Sequence, residues 1–183
     1  MIPRSTDQDV AVRAAEIIRG AGYLTIATAT PETGPWAAQL QYAWFTRPLR
    51  LVVGSRVAAR HCRDIAATGV AAATVSTLPG SAHGLDGLQM AGDCHALSGT
   101  ELESAVASFY QQMFSDTSDA QAQALSLSQL EGHGSQRLLE LRPHALWILD
   151  LDLWDSERVS ARVSVDMVAL EGALDQPQGA KHC

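Results

Sequence analysis

The stretch YLTIATATPETGPWAAQLQYAWF, residues 23–45, decides the fold. Tyr23–Thr30 is rich in β-branched residues and alternates, PETGP supplies turn chemistry, and residues 36–45 form a second strand, so the stretch reads as an antiparallel hairpin. LRLVV, residues 49–53, adds a third strand. VAAATVS (70–76), LDGLQMAGDCHALS (85–98), SQRLLELRP (135–143), HALWILDLDLW (144–154) and ERVSARVSV (157–165) continue the pattern. Gly87 and Gly92 mark a bulge or a close approach.

Helices separate these strands. Ser5 with Gln8 makes a capping box before Val10, Ala14, Ile17 and Ile18, which recur at helical spacing up to Gly20. A second helix begins in GSRVAARHCRDI, residues 54–65, and ends near Thr68 and Gly69. Thr100 with Glu103 opens a third, on which Leu102, Val106, Phe109, Tyr110 and Met113 share a face, and a fourth covers residues 119–130. Hairpin-linked strands with local helices favour a mostly antiparallel barrel or α+β sheet over a parallel α/β fold. The expected organisation is one domain over residues 1–174 and a frayed tail over residues 175–183.

Composition sets limits on function. The 183 residues are 46% hydrophobic and 18% charged, in the range of globular chains, and the formal net charge of −7 argues against binding duplex nucleic acid. Cys62, Cys94 and Cys183 form no CxxC pair, and the six histidines form no HxH or HxxxH pair, so no metal site is expected. No Walker, GxGxxG or GxSxG pattern occurs. Without an apolar run long enough to span a bilayer or a signal-type N-terminus, the chain reads as cytoplasmic, with no membrane partner.

Against this acidic background, residues 54–65 concentrate positive charge. On a helix starting at Ser55, Arg56, Arg60 and Arg63 fall within about 60° of one another. Arg56 and Arg60 then repel by roughly 0.2–0.5 kcal/mol unless an anion lies between them. Ser55 as N-cap and the free N–H groups of the first turn would serve the same anion. The competing reading is a solvated face with Arg60 paired to Asp64. His61 falls with Val57, Ala58, Cys62 and Ile65 on the apolar face, as a hydrogen-bonded core residue or as a ligand near the helix mouth.

Taken in order, residues 23–45, then LRLVVGSRVAARHCRDIAATGVAAATV (49–75), then GLQMAGDCHAL (87–97), resemble the FMN-binding split-barrel family that includes pyridoxamine 5′-phosphate oxidase. The resemblance implies a mostly β (α+β) fold, a six-stranded antiparallel split β-barrel with flanking helices. It also implies a homodimer with two FMN sites at the subunit interface, acting as a flavin-dependent oxidoreductase on a small molecule. It places Ser55 at the phosphate hydroxyl and Arg60 and His61 at the basic pair, assisted by Arg63 or Arg56. Gln39, Leu40, Gln41 and Tyr42 would lie beside the flavin ring, with Gln89 near it.

The departures are specific. His61 stands where an oxidase commonly has lysine, Asp86-Gly87 replaces an Arg-Gln pair, and only Trp154, Arg158 and Arg162 could imitate the oxidase's C-terminal segment. Trp36, Trp44, Trp147 and Trp154 read as core or dimer-interface residues. The alternatives are a non-catalytic flavin-binding or sensing dimer, a deazaflavin in place of FMN, and a haem-binding split barrel using His182 and Cys183.

Overall fold

A computed structural model describes residues 5–77 and 86–176. In chain order the elements are α1 (Asp7–Gly20), β1 (Tyr23–Thr30), β2 (Gly34–Phe45), β3 (Arg50–Arg56), α2 (Arg60–Thr68), β4 (Val70–Ser76) and β5 (Gly87–Ala96). There follow α3 (Gly99–Met113), α4 (Thr117–Gln123), α5 (Leu127–Leu130), β6 (Gln136–Leu149), α6 (Leu151–Glu157), β7 (Arg162–Ser164) and α7 (Met167–Asp175). The sheet order is β3-β2-β1-β4-β5-β6-β7, all antiparallel, and β3 pairs again with β6. That pairing closes six strands into a barrel and leaves β7 as an extra strand beside β6.

Alternation turns one set of side chains inward. Leu24, Ile26, Val53, Ala73, Val75, Met90, Leu139 and Leu141 belong to a core that α1 and α7 extend with Ile17, Ile18, Leu170 and Leu174. A second core lies where α3 covers the outer wall of β2, β3 and β6. There Leu102, Ala105, Phe109 and Tyr110 meet Ala43, Val52 and Leu138. Each fully buried leucine or isoleucine is worth about 1.5–3 kcal/mol, so these two layers supply the main driving force. Glu140, fully buried at the edge of the second core, is held by Arg50 at 2.9 Å and by Arg142.

Several local expectations change. The first capping box is Thr6 with Asp9, and Ser5 instead bonds to Asp152. Strand β3 runs on through Ser55 and Arg56, so α2 starts only at Arg60, with Ala59 as its N-cap. The pairing of Ser55 with Arg137 and of Arg56 with Gln136 holds these residues in the sheet. Ser55 is therefore no N-cap, and the helical stripe of Arg56, Arg60 and Arg63 does not form. Helix α3 has Ser98 as its N-cap residue, without a side-chain bond. Residues 119–130 divide into the end of α4 and α5. Gln136–Leu149 is one long strand, bulged at its middle, and Leu151–Glu157 is helical because the Asp150 carboxylate caps Leu153 N–H.

Among the described residues, no helix is long and apolar enough to cross a membrane. His83, His182 and Cys183 lie outside the described residues.

Candidate functional site

Register across the barrel produces an uncommon outer face. Ala37 on β2 faces Ala27 on β1, Ala27 faces Ala72 on β4, Ala72 faces Ala91 on β5, and Ala91 faces Ala145 on β6. Five strands thus present methyl groups in one transverse row. Side chains on a sheet stand roughly perpendicular to it, so a row of alanines leaves a flat, apolar floor between taller neighbours. The floor opens as a cleft of about 950 Å³ whose walls include Trp36, Val70 and His144. That volume lies at the upper end for small-molecule and cofactor sites, and the lining suits a planar conjugated ring.

The next row on the same face is polar. Gln39, Thr25, Thr74, Gln89 and Trp147 face one another in sequence from β2 to β6. Gln39 and Gln89 are three strands apart, about 14 Å, so their amides bracket the row without meeting.

His144 enters the cleft through a backbone irregularity. Ala91 faces Ala145 while Gly92 faces Pro143, which makes His144 the extra residue of a bulge in β6. A bulge re-aims a side chain, and His144 Nε2 lies 2.7 Å from Asp93 Oδ2. Gly92 is required opposite, since a Cβ there would fall 1.9 Å from the Arg142 carbonyl oxygen. The close approach expected at Gly92 is thus to the chain's own backbone.

Of the sequence-derived phosphate residues, Ser55 and His61 come together, with Ser55 Oγ 2.7 Å from His61 Nε2. His61 is only 6% exposed, and burial holds its pKa below the ordinary value against the opposing pull of Asp64. Near neutral pH the imidazole is uncharged and serves as a hydrogen-bonded core residue.

Arg60 is turned elsewhere. Its Nη2 donates to the carbonyls of Thr33, Gly34 (3.0 Å) and Pro35 (3.3 Å), and its guanidinium lies 5.0 Å from the Trp36 ring centroid. Asp64, 3.7 Å from Arg60 Nε, accepts hydrogen bonds from Thr28 and Thr33. Arg60 therefore fastens the β1–β2 turn to α2. Arg63 folds back onto the Ala58 carbonyl, so these four side chains do not converge on one point.

Of the ring-side set, Gln39, Gln41 and Gln89 are exposed on the outer surface. Leu40 packs against the barrel core, and Tyr42 is buried with its hydroxyl donating to the Ile18 carbonyl at 2.6 Å. Burial pushes the Tyr42 phenol well above its usual range. The Tyr42 side chain therefore supports α1 and does not face the outer cleft.

Sequence reading missed the alanine row, the His144–Asp93 pair and Arg137. The alanines were visible as small residues in each strand, but their alignment depends on interstrand register, which one strand does not carry. Arg137 reaches Ser55 through the β3–β6 pairing, which joins residues 82 positions apart. Buried Cys62 has its thiol pKa raised by burial, partly offset by Ser55 and by the charges of Arg137 and Arg63. The Cys94 thiol is pushed up to about 12 by burial, so both cysteines are unreactive thiols in the folded chain. No cluster of three metal-ligating side chains occurs among the described residues.

Comparison with solved structures agrees with the fold. A heme binding protein from Mycobacterium smegmatis is similar over 93% of this chain, with a TM-score of 0.66 and 18% identity; the chain spans 62% of that protein's length. A pyridoxamine 5′-phosphate oxidase-related, FMN binding protein from Nostoc punctiforme matches 86% of this chain and 93% of its own, with a TM-score of 0.53 and 15% identity. HutZ, the heme storage protein of Vibrio cholerae, matches 73% of this chain and 89% of its own, with a TM-score of 0.55 and 17% identity. No protein-family model and no curated protein matches the sequence. The chain has the split-barrel fold common to these flavin- and haem-binding proteins.

Proposed function

We propose that the chain is a homodimeric flavin-binding split barrel, holding FMN over the alanine floor and acting as an oxidoreductase on a small molecule. The observation that carries this reading is the row Ala37-Ala27-Ala72-Ala91-Ala145, a flat apolar surface wide enough for an isoalloxazine ring. An open apolar floor of this kind is also what a second subunit would cover, and the cofactor would then lie between two copies. Arg60, stacked on Trp36 of the cleft wall, would turn from the β1–β2 carbonyls to the phosphate, while neutral His61 contributes no charge. Bound flavin would supply the electron transfer; the protein would bind it, orient it and exclude water from one face.

A second reading, haem in the same cleft, is favoured by His144. With Nε2 engaged by Asp93, its Nδ1 is the ring nitrogen left for a ligand, and a carboxylate partner strengthens imidazole as a metal ligand. Parallel titrations of the purified protein with FMN and with haemin separate the two. Retained flavin that NADH or NADPH reduces and oxygen reoxidises supports the oxidoreductase; retained flavin that no donor reduces supports a sensing dimer. A haemin-specific Soret band with no flavin retention supports the second reading and overturns the first.

A further inference from the structure

A second pocket, of about 280 Å³, lies between the outer wall of β3 and β6 and the helices α3–α5. It shares no lining residue with the alanine cleft. Phe114, Leu125, Leu130 and Leu138 give it apolar walls, and its polar lining comes from Ser55, Tyr110, Gln123, Gln136 and Arg137. No acidic side chain is among the described lining residues, although the chain as a whole carries −7.

Two polar groups there have no side-chain partner among the described residues. Tyr110 is 9% exposed, yet its hydroxyl makes no hydrogen bond among the described residues. Its hydroxyl oxygen is reached by water through the pocket, and an acceptor entering there would take that water's place. Arg137 donates to the carbonyls of Leu130 (3.3 Å), Gly134 (2.8 Å), Gln136 (2.6 Å) and Gly132 (2.6 Å). Those bonds fix the guanidinium and leave its charge without a carboxylate partner among the described residues. A fixed cation beside apolar walls is suited to one carboxylate.

We propose that this pocket is a ligand site for a small carboxylic acid with an apolar body. The volume corresponds to about nine water-sized units at roughly 30 Å³ each, which suits an acid the size of benzoate and excludes a flavin. The carboxylate meets Arg137 and the Tyr110 hydroxyl, and the apolar body lies against Leu130 and Leu138.

Benzoate is the probe. Titration of the full chain, followed by the methyl resonances of Leu130 and Leu138, is expected to show saturable shifts, with benzyl alcohol binding at least tenfold more weakly because it lacks the charge. Tyr110→Phe should weaken benzoate by roughly tenfold, the loss of one hydrogen bond to a charged acceptor. Leu125→Trp, which fills the pocket from its side, should abolish the shifts while circular dichroism stays unchanged, and it decides the matter if Tyr110→Phe does not fold. Non-saturating shifts, equal binding of benzyl alcohol, or full benzoate affinity in Leu125→Trp would overturn the assignment.

Discussion

His144 is the extra residue at the β6 bulge, and its Nε2 sits 2.7 Å from Asp93 Oδ2 beside the alanine floor. Both side chains are more than half exposed, at 63% and 58%, so the pair itself is worth less than about 1 kcal/mol. Its effect is orientation of the ring. His144→Ala should therefore leave the urea midpoint nearly unchanged and leave FMN retention intact, while any haemin complex loses its ligand-dependent Soret shift. Equal loss of flavin and haemin binding would show that the imidazole shapes the cleft for both.

Gly92→Ala tests the bulge. A methyl group there would lie 1.9 Å from the Arg142 carbonyl oxygen, and the atoms it would meet are all backbone of Arg142 and Pro143, with no flexible side chain to yield. The strand pair must separate locally, with an expected loss of about 3 kcal/mol or more in denaturant unfolding. A loss under about 1 kcal/mol would mean that the β5–β6 register is not as described.

Arg60→Ala removes the clamp between α2 and the β1–β2 turn. Asp64 is 2% exposed and would keep its hydrogen bonds from Thr28 and Thr33 but lose its cation. With Arg60 partly exposed, the expected cost is about 2 kcal/mol, below the usual range for breaking a fully buried pair. Arg60→Lys should rescue little, because one ammonium cannot reach three carbonyls and stack on Trp36 as the planar fork does. Chemical denaturation of the three proteins at one pH measures both effects.

The folded chain holds the His61 pKa below its ordinary value through burial, so the unfolded chain takes up that proton first as pH falls. Stability from this group is full above about pH 6.5, declines as pH drops toward the folded-state pKa, and levels off beneath it. His61→Gln should flatten this limb in urea unfolding between about pH 8 and pH 5. An unchanged slope in the variant would assign the decline to other groups.

The strands were legible because their chemistry is local. Tyr23–Thr30 has the bounds read from its alternation, and Gly92 signalled the bulge that the register shift reveals. The start of α2 was not legible, since Ser55 and Arg56 carry good capping and helical residue types yet are held in β3 by pairing with Arg137 and Gln136. The same long-range pairing removed the arginine stripe. Helix α7 was missed because its nine residues are weakly amphipathic alone, and its burial comes from packing on α1, where Arg19 also donates to the carbonyls of Ala173 and Leu174. The site was the least legible part, because the alanine floor exists only when five strands are in register.

The most direct test is the visible absorption spectrum after incubation with excess FMN and desalting, recorded for the native chain and for Ala72→Trp. Ala72 is exposed at the centre of the floor, so an indole there should cost within about 0.5 kcal/mol of fold stability while standing where the flavin ring would lie. Val168→Trp, on the 81% exposed face of α7, controls for the added aromatic. The two visible bands of oxidised flavin should remain with the native chain and the control and be lost from Ala72→Trp. A native chain that retains no flavin, or an Ala72→Trp variant that retains as much as the native chain, would contradict the alanine-floored cofactor site.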